Sequence, residues 1–207
     1  PCQKTGPVRG STMDKIITIS REFGAGGGAI GKAVASELGY EYYDKAIILR
    51  AAKEANIDVA SGYRWDESVP VNFGFAQSLF DFYNKPFNEK LFEAQKEVIR
   101  KIGEKGSCVI VGRNANAILS EFDHALHVFI TANIRWRIEH SLEVFPDATD
   151  AKIADQLAAV DKRRRKYCAY YTNTEFGDAR YYDLCLKTSD LGIETCTKVI
   201  CDLARNT

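Results

Sequence analysis

The 207 residues carry 28 Lys+Arg against 28 Asp+Glu, and 45% of them are hydrophobic. That length supports one α/β domain with a sizeable core, and the balanced charge leaves no overall basic field to suggest nucleic acid as a partner. With no apolar run of membrane-spanning length and no signal-peptide pattern, a cytoplasmic protein acting on small molecules is expected.

Residues 1–12 are small, polar and aperiodic and stop just before Met13, the only methionine, which reads as a vector-derived tail. The fold is expected over 13–207. Ile16–Ser20 forms a short apolar strand that runs into Arg21, Glu22, Phe23 and the glycines Gly24, Gly26, Gly27 and Gly28. A helix follows on which Ile30, Val34 and Leu38 share one face. Small residues between a strand and a helix let backbone N–H groups converge on one hollow, and the helix terminus adds positive field. Phosphate is the expected guest. The candidate cradle is Arg21, Gly24, Ala25, Gly26, Gly27, Gly28 and Ala29.

Two registers fit this loop. A G-x-x-x-x-G-K pattern spans Gly26–Lys32, with Ala33 in place of the hydroxyl residue that follows the lysine. The spacing of Ile30, Val34 and Leu38 instead predicts a helix starting near Gly27 and a tight loop over 21–27. In that preferred register Arg21 stands where the first glycine is usual and Gly27 where the lysine is. Gly28–Ala29 then replaces the Ser or Thr that holds Mg²⁺.

Further strands are predicted at Tyr40–Tyr43, Cys108–Gly112, Ala125–Ile130 and Tyr182–Leu186, two of them nearly continuous apolar runs suited to burial on both faces. Leu91, Gln95, Val98 and Ile102 mark a helix that Gly103 or Gly106 ends, and a last helix is capped by Ser189 or Asp190. The alternation predicts a three-layer α/β fold with about five parallel strands and ligands at their carboxyl ends. Residues 56–88, aromatic-rich with Pro70 and Pro86, read as an inserted helical lobe. Residues 161–182, opening on DKRRRK, read as a cationic flap on a helix that begins near Asp150 and breaks at 173–178. The cysteines show no C-x-x-C pair and suit reduced core thiols. His124 and His127 face opposite sides of a strand and make no shared metal site.

The succession ISREFGAGG, LGYEYYDKAII, CVIVGRNA, DKRRRKYCAYYT and FGDARYYDLCLKTSDLGIE resembles the cytidylate kinase-like family, relatives of the nucleoside monophosphate kinases within the P-loop NTPases. The resemblance spans Lys15 to Leu203. It implies transfer of a phosphoryl group from ATP, with Mg²⁺, to a nucleoside monophosphate, CMP or dCMP first. In DKAIILR, matched to D-T-G-x-x-Y-R, Asp44 and Arg50 fall on the acceptor side. In VGRN, matched to D-G-R-D, Arg113 and Asn114 do so, while both acids are lost at Val111 and Asn114. The flap matches the lid over the donor phosphates and offers Arg163, Arg164 and Arg165 as catalytic cations, with Asp44 orienting the acceptor or a metal-bound water. No residue is assigned as a metal ligand.

Each reading has a plainer counterpart. Arg113 follows a buried strand and suits a salt bridge to Asp44 as well as a ligand contact; Arg50 suits a helix surface. The rival functions are a kinase for another small acceptor and a decayed enzyme that only binds a nucleotide or anion. A monomer and a homodimer remain equally open.

Overall fold

The computed structural model describes residues 15–48 and 75–206, with side chains from residue 89 onward in the second stretch. The tail at 1–12, Arg50 and most of the lobe expected over 56–88 lie outside the described residues.

Strand β1 (Ile16–Arg21) is the middle of the sheet because its apolar run is buried on both faces from Ile16 to Ser20. Helix α1 (Gly27–Leu38) follows, then β2 (Glu41–Tyr43), helix α2 (Phe75–Lys105), β3 (Cys108–Val111), the single turn α3 (Ala115–Ile118) and β4 (Ala125–Thr131). Helices α4 (Ile134–Val144) and α5 (Asp150–Thr172), a 3₁₀ turn at Ala179–Tyr181, β5 (Leu184–Lys187) and α6 (Thr188–Asn206) complete the order. The five strands lie in the order β2-β3-β1-β4-β5. Every pairing is parallel, with Ile16 opposite Cys108 on one side and Ala125 on the other. This is the expected three-layer fold.

One core joins the sheet to α1 and α6 through Ile17, Ile19, Ile30, Val34, Cys196 and Ile200. The other joins it to α2, α3 and α5 through Ile16, Ile99, Ile110, Leu119 and Tyr167. Each such side chain contributes about 1.5–3 kcal/mol by leaving water, so the sheet is a rigid base for whatever its carboxyl edge presents.

Helix ends follow local chemistry. Thr149 accepts the N–H of Lys152 and starts α5, and Asn173 in the left-handed region (φ 52°) ends it. Of the two glycines offered as the end of α2, Gly106 (φ 69°) terminates it, while Gly103 lies inside the helix. There a Cβ would come within 2.8 Å of Leu119 Cδ2. The cap of α6 differs from expectation. The helix starts at Thr188 and its backbone is broken at Gly192 (φ 77°, ψ 161°). The Ser189 hydroxyl instead accepts the Asn133 N–H at 3.1 Å.

His127 sits on β4 with Nδ1 2.8 Å from Thr18 Oγ1 on β1. Burial pushes this imidazole below its ordinary range, against a weaker upward pull from Asp183. An unfolded chain takes up a proton near pH 6.5 that the folded state refuses, so stability is present above about pH 6.5 and is lost as pH falls toward the lower folded value. Melting curves across that window are expected to shallow in His127→Gln.

No described helix is long and apolar enough to cross a membrane. Of the described cysteines, Cys185 is exposed and Cys108, Cys168, Cys196 and Cys201 are buried.

Candidate active site

The loop between β1 and α1 is built as the second register requires. Helix α1 starts at Gly27, and Gly26 before it is left-handed (φ 79°). Lys32, the lysine of the other register, is exposed on the second turn, 5.9 Å from the Tyr42 ring. Gly24 is also left-handed (φ 78°), and a Cβ there would meet Ser141 Oγ at 2.9 Å and Leu157 Cδ2 at 3.0 Å. A Cβ on Gly28 would meet nothing within 4 Å. The hollow is therefore open at Gly28 and closed behind Gly24.

Where the loop amides point decides whether an anion fits. Glu22 N–H donates to Ile130, Phe23 N–H to Asp161 and Ala25 N–H to Glu22. Among the described residues, the amides of Gly24, Gly26, Gly27, Gly28 and Ala29 donate to nothing. They are the orphan donors of a helix start, collected at its positive end. That donor set fits a polyphosphate. It offers Mg²⁺ nothing, because Ala29 carries no hydroxyl, and Ser20 is turned away toward Asn116 Oδ1 at 3.3 Å. Among the described residues no cluster of His, Cys, Asp or Glu has the makings of a metal site.

A buried ionic network holds the loop. Arg137 on α4 pairs with Asp161 on α5, their side chains 7% and 5% exposed. Arg137 Nε donates to the Phe23 carbonyl at 2.7 Å, while Asp161 Oδ1 accepts the Phe23 N–H at 2.8 Å. One loop residue is thus gripped at both backbone groups. Glu22 adds an ion pair to Arg137 at 3.4 Å and accepts from Thr131 Oγ1 at 2.5 Å. Thr188 Oγ1, at the end of β5, donates to the Ala25 carbonyl at 3.0 Å. Sequence reasoning missed Arg137, Asp161 and Thr188. The one local signal was the three-residue spacing of Asp161 and Arg164, which puts both on one face of a helix.

Of the three lid arginines, α5 turns Arg164 inward and leaves Arg163 and Arg165 exposed. Arg164 Nη1 donates to the Arg21 carbonyl at 2.8 Å, lies 3.9 Å from Asp161 Oδ1, and its guanidinium covers the Phe23 ring at 5.6 Å. Arg113, in a left-handed backbone after β3 (φ 60°), is 7% exposed. Its guanidinium meets Gln95 Oε1 at 3.5 Å and the Tyr167 ring at 5.7 Å. Gln95, expected only as part of the buried face of α2, is a polar partner of it. Asn114 (φ 54°) has its side-chain nitrogen buried with no hydrogen-bond partner.

Arg21, Arg113, Arg164 and Asn114 line one cavity of about 30 Å³ with Ser20 and Tyr167. Three arginines and a buried donor with no hydrogen-bond partner among the described residues thus border one small space. On its other side Arg21 joins Gly28, Tyr42, Asp44 and Lys45 around a cleft of about 290 Å³. Burial and then the Asp44 carboxylate push the Tyr42 hydroxyl up, and Arg21 pulls it down, so both charges face this ring. Asp44 Oδ1 also caps the following turn by accepting from Ala46 at 2.9 Å and Ile47 at 3.2 Å. A larger cleft of about 650 Å³ lies between α2, α3 and the end of α5. None of the loop residues lines it, and its Arg100 and Arg180 already pair with Glu121 and Asp178.

The sequence model of the cytidylate kinase-like family matches residues 16–190. Comparison with curated protein sequences finds no match. Among solved structures, an uncharacterized protein from Eubacterium ventriosum is similar at 25% identity and TM-score 0.73, over 93% of this chain and 99% of that one. Shikimate kinase from Bacteroides thetaiotaomicron shares the fold at 11% identity and TM-score 0.53, over 92% and 98% of the two chains. TT1252 from Thermus thermophilus does so at 12% identity and TM-score 0.53, over 94% and 99%.

Proposed function

The chain belongs to the cytidylate kinase-like family, and from that premise we propose that it transfers the γ-phosphoryl group of ATP to a nucleoside monophosphate, CMP or dCMP first. The observation that carries this reading is the set of open amides at Gly24 and Gly26–Ala29 beside a cavity ringed by Arg21, Arg113 and Arg164. The amides hold the donor phosphates. Arg113 and Asn114 receive the acceptor phosphate, with Asp44 across the cleft and Arg50 assigned to the same side by the resemblance alone.

In this transfer an acceptor phosphate oxygen bonds to the γ-phosphorus while the bond to the bridging oxygen breaks, and ADP leaves. The attacking oxygen is already anionic, so the protein needs no general base; it supplies positioning and positive charge. Arg164 is the lid cation placed to do this. Mg²⁺, when bound, would neutralise phosphate charge; Ala29 gives it no hydroxyl from the loop.

A second reading, phosphorylation of a different small acceptor, is favoured by one observation. Val111, on the position of the relatives' first acid, is 1% exposed in the core and reads no base. If that acceptor is a hydroxyl group, it has a proton to lose, and Asp44 is the carboxylate at hand.

Incubation with MgATP and a panel of nucleoside monophosphates and hydroxy acids, following ADP release, tests both. Turnover on CMP or dCMP with Asp44→Asn only mildly impaired supports the first reading. Turnover confined to a hydroxyl acceptor and abolished in Asp44→Asn supports the second. Tight ATP binding with no turnover on any acceptor supports a nucleotide-binding protein without transferase chemistry and sinks both.

A further inference from the structure

We propose that Arg21 takes over the work of the missing loop lysine: its guanidinium, reaching forward from the end of β1, grips the phosphoryl group in flight, and Gly27 is glycine to let it pass. The inference rests on the phosphoryl-transfer reading above and names the cation on which that reading otherwise lacks an account.

The geometry is reciprocal. A Cβ on Gly27 would lie 2.7 Å from Arg21 Cβ and 2.8 Å from its Cγ. Contacts that short exclude any side chain at 27 while Arg21 holds its place. Gly27 is the first residue of α1 and is absent from the residues with positive φ, so its backbone has no need of glycine. The space does. At the far end of the same side chain lies Gly112, whose left-handed backbone (φ 81°) calls for glycine in any case; a Cβ there would be 2.0 Å from Arg21 Nη1 and 3.1 Å from its Cζ, which locates the guanidinium. The arginine stem thus runs over the start of the helix, and the guanidinium ends against the turn after β3.

An ordinary loop sends a lysine forward from the first turn of the helix and keeps the loop's first residue small. Here the two residue types have changed places, and only one of the positions can carry a side chain. The exchanged cation also stands where a shared phosphoryl group belongs. It lines both the small polar cavity with Arg113 and Asn114 and the cleft with Gly28 and Asp44. A guanidinium keeps its charge at any working pH and offers two parallel N–H donors to a phosphate, which a lysine ammonium does not.

The swap is testable because it can be reversed. Arg21→Ala is expected to lose about 10²–10³-fold in kcat on the acceptor found in the panel. Gly27→Lys alone is expected to lose as much, since its side chain and Arg21 cannot both be seated. The double variant R21G/G27K, which restores the ordinary glycine and lysine though not the hydroxyl residue, is expected to recover most of what R21G loses, and Lys32→Ala to leave kcat unchanged. Calorimetric titration with inorganic tripolyphosphate gives a readout independent of turnover, and Arg21→Ala is expected to bind about tenfold more weakly. Melting curves identify any variant that fails to fold. Wild-type kcat and tripolyphosphate affinity in folded Arg21→Ala overturn the inference, as does a folded R21G/G27K no better than R21G. If the wild type turns over no acceptor, the transferase reading fails while the titration still judges Arg21: equal affinity in wild type and variant overturns it, a tenfold loss upholds the arginine as the phosphate-binding cation.

Discussion

Replacing Asp161 by alanine is expected to lower stability by about 3–5 kcal/mol, because it leaves the buried Arg137 guanidinium with only the partly exposed Glu22 as counter-charge. For a domain of this size the melting temperature should drop by roughly 6–20 °C. The same deletion removes the acceptor of the Phe23 N–H, so the loop loses one of its two grips. Asp161→Asn keeps an oxygen for that N–H while removing the charge, and is expected to fall between wild type and Asp161→Ala. Thermal melts by circular dichroism check the order. If Asp161→Ala melts with the wild type, the pair does not hold the loop.

The second large effect concerns the lid. Arg164→Ala is expected to reduce turnover by about 10³-fold or more, the lower end of what an arginine at a transferring phosphoryl group is worth. Arg163→Ala and Arg165→Ala, whose side chains face solvent, are expected to stay close to wild type. Steady-state rates for the three variants on one acceptor decide it. Equal losses at all three would mean that the run acts as a diffuse field, and the inward turn of Arg164 would carry no catalytic meaning.

Local pattern revealed the strands and the start of α1, because burial on both faces leaves unbroken apolar runs and because Ile30, Val34 and Leu38 repeat every four residues along one helical face. The order of strands in the sheet has no such trace. That β3 and β4, not β2, flank β1 depends on contacts across many tens of residues. Among candidate residues the loop was legible for the same reason. Arg164 was one of three equivalent letters until the phase of α5 fixed its direction. Gln95 looked like a core position and proved to be a polar partner of Arg113. The Arg137–Asp161 pair was hidden for another reason. Asp161 heads a run of cations that resembles a solvated helix face, and its partner lies 24 residues earlier. A buried charge and an exposed one read alike until burial is known.

The grip of α4 and α5 on Phe23 has a kinetic corollary. On the proposed reading, a helix joined by two contacts to the backbone of the phosphate loop holds Arg164 in position before nucleotide arrives. Its rotamer freedom is surrendered during folding, which spares about 0.5–1.5 kcal/mol at the moment of capture. Empty and nucleotide-loaded forms should superpose at Arg164 and Phe23, and the association rate should carry no slow step from ordering this arginine.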